Sequence, residues 1–316
     1  MQNILTELPD DNRRTAWLFL LIITAYVIVG LFFFSIIMAA GVLMLMIGFD
    51  IDVLMGIQSN PVAHPEARTP LLVVQGISTL GAFILAPVAF IRLNLKKRIA
   101  TFFPSISLQV LGMTFVIVFC FMIVNTVFIS WNQGWVFPDF MSGFENWAQG
   151  QEQKLAELTE YLTAFDSFGQ FALALLVIAV LPGIGEELLF RGIIQNLFHK
   201  TLGNPHLAIW ISAFIFGAIH IQFYGMVPRM LLGALFGYLY LYSGNLSIAM
   251  FAHFVNNALA VIMVYAYRQG SIEIDPSDAS AVPDWYVIAV FAIIGGAGLY
   301  WFIKKHKADG QLAGGL

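Results

Sequence analysis

Residues 182–192 read PGIGEELLFRG and follow the apolar run FALALLVIAVL. Two carboxylates, Glu186 and Glu187, and the guanidinium of Arg191 stand where hydrocarbon-facing side chains are expected. Charges inside membrane helices are costly and usually serve function. Five further polar residues of the predicted spans stand out in the same half of the chain: His220, Arg229, His253, Asn256 and Asn257. Glu187 and Arg191 are four apart with the carboxylate first, so on a helix they face each other and can pair. Glu186 is turned about 100° away, and its neighbours at i+3 and i+4 are Leu189 and Phe190. It has no local counter-charge. It also follows Pro182, Gly183 and Gly185, residues that break or loosen a helix. A free carboxylate there suits general-base chemistry. One buried network that only holds helices together is the plainer reading, and it fits Glu187 and Arg191 better than Glu186.

The elements that must position these groups follow from composition. The chain has 316 residues, 59% hydrophobic and 11% charged, against about 25% charged in soluble domains. We expect one all-α, polytopic membrane domain over 1–316, with an intramembrane active-site cavity. About 20 apolar residues cross a bilayer, which gives about eight candidate transmembrane helices: 15–47, 71–93, 105–131, 167–198, 206–222, 226–243, 246–267 and 284–303. The first and fourth are long enough to need tilt or a kink. The catalytic core should occupy about 166–267. Residues 142–165 read as an amphipathic surface helix, with capping-box spacing at Ser142 and Glu145 and Leu155, Leu158, Leu162 and Phe165 on one face. Packing of that helix on the spans fits equally. Residues 305–316 read as a flexible tail. His64, His206 and His306 read as solvated loop residues, and His199 as the end of a helix.

Basic segments (Arg92 to Arg98, Lys200, Lys304 to Lys307) alternate with acidic loops (Asp50 and Asp52; Asp139 to Asp166; Glu273 to Asp284). The positive-inside rule therefore puts both termini in the cytoplasm, and the membrane is the plasma membrane if the host is bacterial. The opening MQNILTELPDDNRR lacks the pattern of a removable signal peptide. The net charge of −4 gives no reason to expect nucleic acid as a partner. The lone Cys120 allows no internal disulfide and reads as packing.

Glu186 and His220 lie equally far, in residues, on either side of Gly203 in the turn HKTLGNPH. In an antiparallel pair they share a depth, roughly 20 Å from the turn. His253 lies roughly 13 Å beyond the turn SGN, with Asn257 one turn further on the same face. Asn256 is turned away and could bond another helix. Phe216, four before His220, could wall its pocket. The GxxxG of Gly233 and Gly237 suits close helix packing, and Arg229 is placed to snorkel.

Glu186-Glu187-xxx-Arg191, Phe216-xxx-His220 and His253-xxx-Asn257 resemble the three motifs of the CPBP (Abi) family, which contains type II CAAX prenyl endopeptidases and bacteriocin-processing enzymes. The motifs cover about 182–258; the first three spans carry none. The resemblance implies a glutamate protease in which Glu186 is the catalytic carboxylate and His220 its partner on water. It makes His253 and Asn257 the oxyanion pair, and Glu187 and Arg191 structural. The substrate would be a membrane-associated protein or peptide, including prenylated CAAX-type tails, met in the lipid bilayer.

Two histidines and a glutamate could also hold zinc with an open position. HExxH is absent, however, and a ligating Glu186 could not be the base, so no cofactor is the first expectation and zinc the second. Intramembrane Glu, His and Arg also serve proton-coupled transporters, although no inverted repeat is visible. A non-enzymatic immunity or scaffold protein of the same fold is the other alternative.

Overall fold

The computed structural model describes residues 13–308 except 166, 277 and 279. The acidic N-terminal stretch, Asp166 and the tail beyond 308 lie outside the described residues. Every regular element among the described residues is a helix. The main ones are α1 (Arg14–Met46), α2 (Pro65–Leu93), α3 (Leu108–Gln133), α4 (Ser142–Leu162), α5 (Phe168–Leu202), α6 (Pro205–Ala218), α7 (Met226–Ser243), α8 (Leu246–Arg268) and α9 (Trp285–Ala308). Six of these (α1, α2, α3, α5, α8 and α9) are long and apolar enough to cross a membrane. The polytopic all-α architecture holds, while the expected count of eight rests on two shorter helices. Of those, α6 stops at Ala218 rather than 222, and Ile221 then takes a positive φ of 54°. The helix therefore yields to a loop at His220.

The long helices are continuous and contain π-helical stretches: Phe32–Met38 in α1, Leu80–Leu85 in α2, and Leu175–Val180 and Phe190–Gln195 in α5. In an α-helix the carbonyl of Ile178 would bond the N–H of residue 182. Pro182 has none, and the ladder is loosened on its N-terminal side.

The core gathers Phe90, Phe102, Leu188, Phe190, Phe236 and Val255. Glycines set how close the helices come. A Cβ on Gly237 would meet Gln195 Oε1 at 2.8 Å and Ile209 Cγ2 at 2.9 Å, so the GxxxG packs as expected. A Cβ on Gly183 would meet the backbone of α8, Phe254 N at 3.2 Å and Met250 O at 3.3 Å.

In α4 the cap differs from expectation. Ser142 lies inside the helix, Met141 is the uncapped N-terminal residue, and Glu145 Oε1 accepts Phe137 N–H at 3.4 Å. The second half of α4 packs on the spans, with Leu158, Tyr161, Leu162 and Phe165 clustering with Leu72, Val177 and Val261. Tyr161 Oη donates to His64 O at 2.6 Å. Residues 305–308 are helical rather than tail. His306 is 4% exposed instead of solvated, and His206 Nδ1 lies 3.1 Å from Tyr238 Oη.

Candidate active site

Pro182 and its glycines join three helices. Gly183 admits α8, and Gly185 admits α2, where a Cβ would meet Phe83 Cβ at 2.8 Å. The carbonyl of Ile178, deprived of its helical donor, accepts Asn257 Nδ2 at 2.9 Å. In a bilayer no water replaces a missing backbone partner, so the α8 amide fills that place. Asn257 Oδ1 in turn accepts Asn256 Nδ2 at 3.0 Å; Asn256 therefore steadies its neighbour instead of reaching another helix.

The turn and a half after Pro182 carries the charges. Glu187 is fully buried and Arg191 is 1% exposed. Arg191 Nη1 donates to Glu187 Oε1 at 2.6 Å, the expected i,i+4 pair, and Nη2 donates to Gly233 O at 2.8 Å. The guanidinium also lies 4.8 Å from the Phe216 ring centre and 5.5 Å from that of Phe236. A buried guanidinium needs such partners.

Glu187 has a second partner that spacing did not reveal. His253 Nδ1 lies 2.8 Å from the same Oε1. Because that oxygen only accepts, Nδ1 carries the proton. The far ring nitrogen, Nε2, then lies 4.0 Å from Glu186 Oε2. Phe236 stacks on the imidazole at 5.2 Å and Phe216 meets it edge-on at 5.9 Å. Glu187 thus orients a histidine as well as neutralising Arg191. The Glu186 side chain is 16% exposed and makes no hydrogen bond among the described residues. The histidine at its side is His253. No hydrogen bond or ion pair joins Glu186 directly to His220; α6 ends before His220, and the imidazole is held by the last turn of that helix. There Nδ1 lies 2.7 Å from Phe216 O, so the proton is on Nδ1 and Nε2 is free to accept. Phe216 touches both imidazoles, with its ring 5.2 Å from His220, and it is the shared wall between them.

The loop bearing His220 is tied down by residues outside the three motifs. Asn132 of α3 is fully buried. Its Nδ2 donates to Phe223 O at 3.1 Å, and its Oδ1 accepts Val227 N–H at 3.0 Å, capping the first turn of α7 from another helix. Arg229 does not snorkel: Nη2 donates to Gln222 Oε1 at 2.6 Å, and Gln222 Nε2 donates to Glu152 Oε1 of α4 at 3.1 Å. Asn132 was legible in principle as an amide in an apolar span. Its partners, being backbone atoms far along the chain, were not.

Among the described residues no three His, Cys, Asp or Glu side chains converge on one point to hold a metal. Glu186 and His253 approach each other, Glu187 is taken by Arg191 and His253, and His220 is bound to Phe216. Glu186 and His253 are two donors, where a catalytic zinc site takes three from the protein.

An unbonded carboxylate beside an oriented histidine, sealed among apolar helices, defines an all-α polytopic membrane protein with a buried acid–histidine centre. Residues 168–259 match the family model described as Type II CAAX prenyl endopeptidase Rce1-like, so the similarity read from the motifs holds over the segment that carries Glu186, His220, His253 and Asn257. Two Bacillus subtilis (strain 168) proteins are similar over the same length scale. One, named "Putative membrane peptidase YdiL", is 34% identical over 92 residues, 29% of this chain and 37% of its own. The other, named "Uncharacterized protein YpbD", is 28% identical over 89 residues, 27% of this chain and 42% of its own. The chain thus spans less than half the length of the curated relatives it matches. No solved structure matches it at the same stringency.

Proposed function

We propose that the chain is an intramembrane endopeptidase of the CPBP type, hydrolysing a peptide bond of a membrane-associated protein or peptide with water activated by Glu186. One observation carries this: Glu186 keeps a free carboxylate within 4.0 Å of His253 Nε2, while the neighbouring Glu187 is consumed in bonds to Arg191 and His253. Glu186 takes a proton from water, and the hydroxide attacks the carbonyl carbon of the scissile bond. The tetrahedral oxyanion is met on the Nε2 side of His253, whose Nδ1–H is already bonded to Glu187. The second donor is the Nδ2 hydrogen of Asn257 not spent on Ile178. One such donor is typically worth about 10²–10³ in rate. The C–N bond then breaks as Glu186 returns the proton to the leaving amine. His220 Nε2, left open by the bond of Nδ1 to Phe216 O, accepts from the same water.

The similarity to Rce1-like sequences favours a prenylated CAAX-type tail as substrate, and the charge pattern favours a multi-pass protein with both termini cytoplasmic, in the plasma membrane of a bacterial host. The mechanism needs no zinc, so cleavage should survive chelation. The test is cleavage in proteoliposomes of a farnesylated CAAX-type peptide and an unlipidated membrane-anchored peptide, followed by mass spectrometry. Wild type should cut one of them and Glu186→Gln neither. Cleavage at the wild-type rate by Glu186→Gln overturns the mechanism, and substrate flux without cleavage favours a transporter.

A further inference from the structure

At the end of the bundle that carries the basic segments, a half-enclosed cavity of about 220 Å³ lies between the loop before α3, the α7–α8 turn and the last turn of α9. Its lining includes Ser105, Ser107, Ser243, Asn245, Lys305 and His306, and no carboxylate. The peptidase chemistry makes no use of it. We propose that this cavity is a binding site for a phosphate group, carried by an anionic phospholipid of the adjoining leaflet or free in solution.

Three features converge. The first is the start of α3, a 26-residue helix whose first turn faces this end. Ser107 caps it by accepting Val110 N–H at 3.4 Å, while the first-turn amides of Leu108 and Gln109 have no partner among the described residues. Unpaired amides and the positive end of a helix dipole favour an anion. The second is Lys305. Its ammonium reaches across to Gln109 Oε1 at 2.7 Å, which sets a full positive charge against the first turn of α3, already the positive end. A neutral amide does not compensate that charge, and nothing acidic lines the cavity.

The third feature points to a ligand on its own. His306 is 4% exposed. Its Nδ1 is committed to Phe302 O at 2.8 Å on its own helix, so Nδ1 holds the proton. The ring lines the cavity, and its Nε2, opposite Nδ1, has no hydrogen-bond partner among the described residues. A phosphate monoanion can accept from Lys305 and from the α3 amides and donate its P–OH to His306 Nε2; the phosphatidylglycerol diester accepts from the same cation and amides, and a hydroxyl of its glycerol headgroup donates to His306 Nε2.

Complementing the C-terminal end of α9 accounts for cations in its last turn, and the basic side of a membrane protein accounts for exposed Lys304 and Lys307. Neither accounts for a buried imidazole with an open nitrogen, nor for a lysine turned onto the positive end of another helix.

The test uses the detergent-purified full chain. Native mass spectrometry follows titration with phosphatidylglycerol, with phosphatidylcholine, and with inorganic phosphate. Phosphatidylglycerol should bind at least ten-fold more tightly than phosphatidylcholine. That preference should disappear in Lys305→Gln with His306→Gln and survive in Lys304→Gln with Lys307→Gln. Ser105→Glu removes no hydrogen bond seen in the structure and adds a carboxylate at the rim, so it should also abolish binding in a folded protein. Competition by inorganic phosphate at millimolar concentration or below identifies free phosphate as a ligand; lipid binding without competition identifies the headgroup. A wild type that binds neither, or a preference unchanged in both Lys305→Gln with His306→Gln and Ser105→Glu, overturns the proposal.

Discussion

The bond between Glu187 and His253 makes Glu187→Gln the most informative change in the molecule. Glutamine keeps the shape and one acceptor oxygen but removes the charge. Two charge-assisted hydrogen bonds, from Arg191 at 2.6 Å and His253 at 2.8 Å, become neutral-acceptor bonds. A bond to a charged group contributes about 1.5–3 kcal/mol and an ordinary one about 0.5–1.5. The His253 bond therefore loses about 1–1.5 kcal/mol, and Arg191, still ionised, keeps a charge-assisted bond but loses its buried counter-charge, so the total loss is at least about 2–3 kcal/mol. Glu187→Ala leaves the Arg191 guanidinium buried without its carboxylate and should cost about 3–5 kcal/mol. The share of the loss that falls on His253 weakens its hold on the oxyanion, which predicts about a ten-fold fall in kcat. Glu186→Gln should leave stability near wild type and remove about 10²–10⁴ of the rate. Stability can be followed with a thiol-reactive dye, because the only cysteine, Cys120, is buried and becomes reactive on unfolding; cleavage is followed on the same proteoliposome samples. If Glu187→Gln is as stable and as fast as wild type, the coupling between Glu187 and His253 is absent. If it is stable and as inactive as Glu186→Gln, the two carboxylates have been assigned the wrong way round.

Asn257→Ala should strip Ile178 O of its donor and destabilise by about 1–3 kcal/mol; adding Pro182→Ala restores a backbone N–H there and should recover about 1 kcal/mol without restoring cleavage. Strictly additive unfolding measurements on the double mutant would show that Asn257 does not support the proline break. Asn132→Ala, remote from the carboxylates, should lower kcat about 10–100-fold with KM nearly unchanged, because a misplacement of about 1 Å at a reacting group costs that much. An unchanged kcat would mean the His220 loop holds its position without Asn132. Gly237→Val should destabilise by about 1–3 kcal/mol through overpacking against Gln195 and Ile209, whereas Gly112→Val, with nothing within 4 Å, should be near neutral; equal losses would contradict the close approach of α5, α6 and α7.

The sequence made the helical, membrane-embedded class legible through its apolar runs, and it separated Glu186 from Glu187 through the i,i+4 partner. It did not show that Glu187 Oε1 serves two donors, because His253 comes from a helix 66 residues away. Counting residues from Gly203 put Glu186 and His220 at one depth on the assumption of two straight antiparallel helices; it did not show the two π-helical stretches of α5 or the end of α6 at Ala218. Arg229 looked like a snorkelling cation because its partners, Gln222 and through it Glu152, lie on a loop and a surface helix that the spans alone do not bring near. The capping box at Ser142 was a correct spacing that the chain does not use, since Glu145 is drawn to the backbone of Phe137.

Glu186 and Glu187 lie on a nine-residue α-helical stretch, Leu181–Leu189, bounded on both sides by π-helical turns. A π turn is equivalent to one residue inserted into an α-helix, and removing it would rotate everything on one side by about 100° and shift it by about 1.5 Å. Within Leu175–Val180 and Phe190–Gln195 the number of residues therefore matters more than their identity. Swapping one aliphatic side chain for another there should be tolerated. Deleting a single residue from either stretch would turn the carboxylates away from α8 with every functional side chain still present in the chain.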